Sequence, residues 1–141
     1  MPDDHFKKRS ELLSAVLRHI GTVHGRTRLQ KMIFLAQKEL GVEPLFDFQK
    51  HYYGPYSGDL TETLERMISR GDIVEEVEEV GDAIRYSYSL SEDADKFIKP
   101  IESFGLSPDS LDTLRKLSQI SLTALLSYVY QKYLPERCAA Q

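Results

Sequence analysis

Tryptophan is absent from this chain, and cysteine occurs once, at Cys138, in a polar tail beyond Pro135. A lone thiol there excludes an intrachain disulfide and a cysteine-based zinc site, and it gives a thiol nucleophile no ordered pocket. No apolar run approaches the ~20 residues that a bilayer-spanning helix needs. The opening Met1-Pro2-Asp3-Asp4 lacks the apolar stretch of a secretory signal, so a cytoplasmic protein with no membrane contact is expected. The four histidines, His5, His19, His24 and His51, show no metal-ligand spacing. Gly21 and Gly25 read as helix punctuation rather than a phosphate loop, and no serine sits in a nucleophile elbow. Carboxylate pairs such as Glu75-Glu76 fall on a strand expected to face water, where acid-base tuning is weak. The expectation is a non-enzymatic protein with no catalytic residue, no cofactor and no metal.

What is present is an ordinary globular composition, 41% hydrophobic and 28% charged over 141 residues, enough for one core. The net charge of −4 is unevenly spread. Residues 1–40 hold eight Lys/Arg against four Asp/Glu, and residues 41–141 hold ten against eighteen, so basic character is confined to the first forty. Overall acidity argues against indiscriminate nucleic-acid binding but leaves room for a local basic patch.

Apolar periodicity divides the chain into helices. Ser10 is a good N-cap for a first helix through Leu12, Leu13, Val16, Leu17 and Ile20, with Gly21 as its stop. Thr27 can cap a second, carrying Leu29, Met32, Ile33, Ala36 and Leu40 to Gly41. A long connection follows, in which Phe46-Asp47-Phe48 alternates as a short strand would. Ser57 caps a third helix with Leu60, Leu64, Met67 and Ile68 on one face, closing at Arg70-Gly71. Two strands split by Gly81-Asp82 come next. In the second, Ile84, Tyr86, Tyr88 and Leu90 alternate with polar residues and predict one buried face; in the first, valines three apart point to a bulge or ragged edge. Ser91 can start a short helix through Ala94, Phe97 and Ile98. Ser107-Pro108 opens a helix with Leu111, Leu114 and Leu117, and a last helix shows Leu122, Leu125, Leu126, Val129, Tyr130 and Tyr133. The expected fold is mainly α with a small β-hairpin: a winged helix-turn-helix core over residues 1–98, then C-terminal helices over 99–141 packed on the core or on a dimer partner.

The run Arg28-Leu29-Gln30-Lys31-Met32-Ile33-Phe34-Leu35-Ala36-Gln37, followed by Pro44-Leu45-Phe46 and Tyr53-Gly54-Pro55, resembles the Panacea domain of phage-associated and SocA-like antitoxin proteins. The resemblance covers residues 28–56, and it departs from the family pattern in lacking a tryptophan near Tyr53-Gly54-Pro55. It implies a compact helical domain that neutralises a toxin, or delivers it to a protease, by binding alone.

Two sets of site residues follow. Tyrosines on a Gly-Pro-braced loop suit a protein-binding hot spot, which nominates His51, Tyr53 and Tyr56, with Glu62 and Arg66 from the exposed side of the third helix. That side, Asp59, Glu62, Thr63, Glu65, Arg66 and Ser69, together with Glu75, Glu76, Glu78 and Glu79 on the wing, repels phosphates. The alternative, a dimeric DNA-binding regulator, needs Lys7, Lys8, Arg9, Arg26, Arg28 and Lys31 to converge. Simpler fates for these are a disordered N-terminal arm for Lys7–Arg9 and, for Arg28 or Lys31, a surface pair with a nearby carboxylate. A homodimer seam through Leu126, Tyr130 and Tyr133 is the matching expectation for the last helix.

Overall fold

The computed structural model describes residues 2–50, 54–94 and 98–133, with side chains from residue 5 onward. His51, Tyr52, Tyr53, Phe97, Pro135 and Cys138 lie outside the described residues. The chain is mainly helical, with one three-stranded antiparallel sheet. The elements run α1 (Pro2–Ile20), β1 (Val23–His24), α2 (Arg26–Glu39), α3 (Gly58–Arg70), β2 (Ile73–Val80), β3 (Ala83–Leu90), a 3-10 helix (Ile101–Phe104), α4 (Pro108–Gln119) and α5 (Leu122–Tyr133).

The first helix begins well before Ser10. Phe6 is buried a turn earlier, under the Arg66 guanidinium at 3.8 Å, so the apolar stripe starts there and Ser10 sits mid-helix with its hydroxyl donating to the Lys7 carbonyl. Lys7, Lys8 and Arg9 are therefore helical rather than a disordered arm. Thr27 is not the cap of α2. A two-residue strand, too short for any alternation to reveal, pairs Val23 with Tyr88 and His24 with Ser87, and delivers the chain to Gly25 at φ 99°. Glycine tolerates that left-handed turn from strand to helix, so α2 starts at Arg26 with no side-chain cap.

The α3 boundaries follow the sequence closely. Ser57 Oγ accepts the Leu60 N–H, Gly71 closes the helix in the left-handed region, and Leu60, Leu64 and Met67 are buried. Thr63 is buried too, instead of facing water, with its hydroxyl donating to the Asp59 carbonyl. The hairpin pairs without a bulge, from Ile73↔Leu90 to Val80↔Ala83. Its alternation does not produce one buried face, because the core reaches only its base. Ile73 and Tyr88 are buried there, while Val77 (61% exposed), Ile84 (63%) and Tyr86 (45%) project beyond the body. No strand forms at Phe46-Asp47-Phe48; among the described residues of the connection Gln49 and Tyr56 form an isolated bridge. The Phe46 backbone is occupied otherwise, with its N–H and C=O both bonded to the Gln37 side-chain amide at 3.0 Å.

Ile101, Phe104, Leu106, Leu111 and Leu114 share one core with Leu13, Val16, Met32 and Leu64. The 3-10 helix and α4 are therefore packed on the N-terminal helices of the same chain. Leu125 and Val129 of α5 pack on Phe34 and Leu35 of α2, with Tyr130 half-buried beside them. The Tyr133 ring meets Phe34 edge-on at 4.9 Å, and Leu126 is half-buried. Tyr128 and Tyr133 donate to the Glu39 carboxylate, and Lys132 pairs with it at 2.9 Å.

Candidate functional site

Arg26, Arg28 and Lys31 do come together at the start of α2, but each is engaged inside the protein. Arg26 is the hub of a network joining three elements: its guanidinium donates to Tyr88 Oη (2.9 Å), Glu65 of α3 (2.9 Å) and Glu75 of β2 (3.3 Å), and Tyr88 donates to Glu75 at 2.7 Å. Partial burial acts to lower the Arg26 pKa, but the hydrogen bonds outweigh it and the net shift is upward. Burial and the Glu75 bond together raise the Tyr88 phenol. Both groups hold the charge states that keep the network bonded.

Arg28 and Lys31 take carbonyl partners, and no carboxylate of the described residues pairs with either. Arg28 (9% exposed) donates from Nη1 to the carbonyls of Leu117 (3.0 Å) and Ile120 (2.7 Å), which are left open where α4 ends. Its Nε has no hydrogen-bond partner among the described residues. Lys31 (3% exposed) donates to the Pro55 carbonyl at 2.9 Å. Burial lowers the pKa of both. The two glutamines of the same helix act likewise on the long connection. Gln30 bonds the N–H and C=O of Ser57, both at 2.9 Å, and Gln37 does the same for Phe46. α2 is thus a rack of side chains that satisfies backbone groups of Phe46, Pro55 and Ser57 in the long connection.

Of the remaining nominated cations, Arg9 donates to the Leu45 carbonyl (2.7 Å) and pairs with Asp59 (3.2 Å), whereas Lys7 and Lys8 are exposed on α1. Among the nominated protein contacts, Tyr56 is exposed with its hydroxyl 2.7 Å from Thr61 Oγ1. Glu62 and Arg66 are exposed one turn apart on α3, the latter against Phe6. Sequence reasoning missed Gln30, Gln37, Glu65, Glu75, Tyr88 and Thr61. The two network members Glu75 and Tyr88 were nonetheless legible as cross-strand partners once the Gly81-Asp82 turn fixed the register.

The surface left over has a definite character. Facing residues in an antiparallel pair share one side of a sheet. The hairpin side that sends Glu75 and Tyr88 into the Arg26 network therefore continues outward through Val77, Tyr86, Glu79 and Ile84. Exposed Glu62, Glu65, Glu76 and Glu79 give the α3 and hairpin surfaces a negative sign, and Val77, Tyr86 and Ile84 add an apolar strip. A groove of about 720 Å³ separates Ile84, Arg85 and Tyr86 from Ile120 and Leu122 at the α4–α5 corner. A smaller cavity of about 320 Å³ opens at the start of α2, between that helix, Gly54 and Thr61. Among the described residues no group of three His, Cys, Asp or Glu side chains could hold a metal ion, and no helix is long and apolar enough to cross a membrane.

No protein-family model matches this chain. It is similar to the protein of Bacillus subtilis (strain 168) named "Uncharacterized protein YwgA", at 37% identity over 92 residues, which is 64% of this chain. The match spans 54% of that protein, so this chain aligns with about half of the relative's length.

Proposed function

We propose that this chain is a non-enzymatic, cytoplasmic interaction module of winged-helix type, acting in the manner of an antitoxin or adaptor by binding a protein partner. The helix–strand–helix–helix–hairpin order and the sheet order β1-β3-β2 support the winged-helix reading. The helices after residue 99 serve as its buttress. One observation carries the choice of partner: the three α2 cations that phosphate binding requires are committed to internal bonds. The surface that a winged helix turns toward a duplex is left acidic. Charge complementarity then favours a basic protein surface, with the strip Val77, Tyr86 and Ile84 as its apolar anchor.

The test has two arms. In gel shifts at low and moderate salt, the wild-type chain gives no retarded species, while Glu62→Lys/Glu79→Lys gains weak, salt-sensitive and sequence-independent binding. In nuclease-treated affinity purification from the native host, one protein co-purifies in stoichiometric amount and is lost with Ile84→Asp. A tight, sequence-specific shift by the wild type would overturn this reading in favour of a DNA-binding regulator.

A further inference from the structure

The strand order β1-β3-β2 leaves β2 as an edge of the sheet. The direction of its free backbone groups follows from the other side of β3. There the Tyr86 carbonyl accepts the Gly25 N–H at 2.7 Å, so it points away from β2. Val77, which faces Tyr86, then belongs to a pair that exchanges no backbone bonds, and its own N–H and C=O point away from β3. By the period of two, those of Glu75 and Glu79 point the same way. None of these groups has a hydrogen-bond partner among the described residues. An unpaired row of this kind is a template for another strand.

Charge decides what can pair there. Glu75 is held in the Arg26 network and Glu78 by Arg85 at 2.6 Å, whereas Glu76 and Glu79 are exposed and belong to no ion pair among the described residues. A second copy of the chain is rejected. Antiparallel self-pairing centred on Val77 sets Glu75 against Glu79 and Glu76 against Glu78, and the next register on either side sets Glu76 or Glu78 against its counterpart. Like charges directly opposite one another destabilise paired strands. A basic strand is favoured by the same spacing. A cation opposite Glu79 lies on one side of the sheet, a cation opposite Glu76 lies on the other, and an apolar residue between them falls beside the exposed Val77.

We propose that the edge of β2 takes up an extended, basic segment of the protein partner as a further antiparallel strand. Along that segment a basic residue faces Glu79, any residue faces Glu78, an apolar one faces Val77 and a second basic one faces Glu76. Main-chain bonds to Glu75, Val77 and Glu79 supply affinity, and the alternate side chains supply selection. This mode of binding rests on the protein-partner reading above and specifies how that surface engages.

Amide hydrogen exchange and NMR titration of the full chain with the peptide Thr-Lys-Thr-Val-Lys-Thr, blocked at both ends, test it. The amides of Glu75, Val77 and Glu79 should exchange more slowly with peptide bound, while those of Glu76 and Glu78, already bonded to β3, should not change. Contact through side chains alone would not produce this alternation. Val77→Pro removes an outward N–H and spares the ladder to β3, so it should abolish the protection with the melting temperature nearly retained. Glu76→Lys/Glu79→Lys serves as the second variant, because it alters exposed side chains only. It should weaken this peptide at least roughly fivefold, the scale of two cross-strand charge pairs, and should prefer the peptide with glutamate at both lysine positions. The proposal is overturned if the peptide leaves the outward amides unprotected, or if the charge-reversed variant still prefers the basic peptide. Affinity purification separates the two readings. A partner captured equally by the wild type and Val77→Pro removes strand addition and leaves the protein-partner reading standing, whereas a wild type that captures no protein ends that reading itself.

Discussion

Replacing Arg28 by methionine removes the link that ties α2 to the α4–α5 corner while keeping a long apolar stem in the same slot. Two hydrogen bonds disappear, to the carbonyls of Leu117 and Ile120. Each bond from a charged donor contributes roughly 1.5–3 kcal/mol, so the gross loss is about 3–6 kcal/mol. Part of this is offset. Arg28 is 9% exposed and, among the described residues, has no acidic partner and no bond at Nε, so its removal relieves a desolvation cost of about a few kcal/mol. A net loss of about 2 kcal/mol is expected. In a chain of this size that lowers the melting temperature by roughly 6 °C. Urea unfolding followed by circular dichroism should show a lower midpoint with an unchanged slope, and amide exchange should quicken first at Lys116–Ile120. A variant as stable as the wild type, or more so, would refute the reasoning: the buried cation would then cost as much as its bonds return, and the end of α4 would need no cap.

Two other perturbations probe separate joints. Gly105 holds φ 93°, and a Cβ there would collide with the Gly41 carbonyl oxygen; Gly105→Ala should therefore cost about 2–4 kcal/mol, read as a drop in the urea midpoint, whereas Gly58→Ala, with open space around it, should cost less than 1 kcal/mol. Burial of Glu39 acts to raise its pKa, but bonds from Tyr133, Lys132 and Tyr128 prevail and hold it below the ordinary 4.5. Its contribution is thus fully present above pH 4.5 and lost as pH falls through the lowered value, so the stability gap between wild type and Glu39→Gln, measured by urea unfolding from pH 7 downward, should close across that window; a gap constant with pH sinks the assignment.

The helices and the hairpin were legible because each has a local cause that sequence displays. Ser57 and Ser107 cap as their side chains suggest, Gly71 ends α3, and Gly81-Asp82 turns the hairpin. Errors arose where a distant partner decided. Ser10 could not be excluded as a cap without knowing that Phe6 reaches the core beneath Arg66. The β1 strand exists because β3 lies alongside it, and two residues cannot announce that. Alternation in Ile84–Leu90 correctly gave the facing of each side chain, yet periodicity contains no information about how far the core extends along a strand. Ile84 and Tyr86 therefore read as buried although they project into solvent.

The candidate site was harder to read for a related reason. Polar residues on a helix are ordinarily taken to face water or a ligand, and Arg28, Gln30, Lys31 and Gln37 invite that view. In this fold Arg28 turns to the end of α4, and the other three face a connection too long to be a turn, whose buried N–H and C=O groups still require partners. α2 supplies them at residues 46, 55 and 57. The run from Arg28 to Gln37 thus has a structural explanation that requires no ligand or partner. Such a motif can persist while the exposed surfaces of α3 and the hairpin change. On the proposed function, specificity lies in Glu62, Glu79, Val77, Ile84 and Tyr86, which are exposed, and exchanging those five between related chains should transfer partner choice without disturbing the melting temperature.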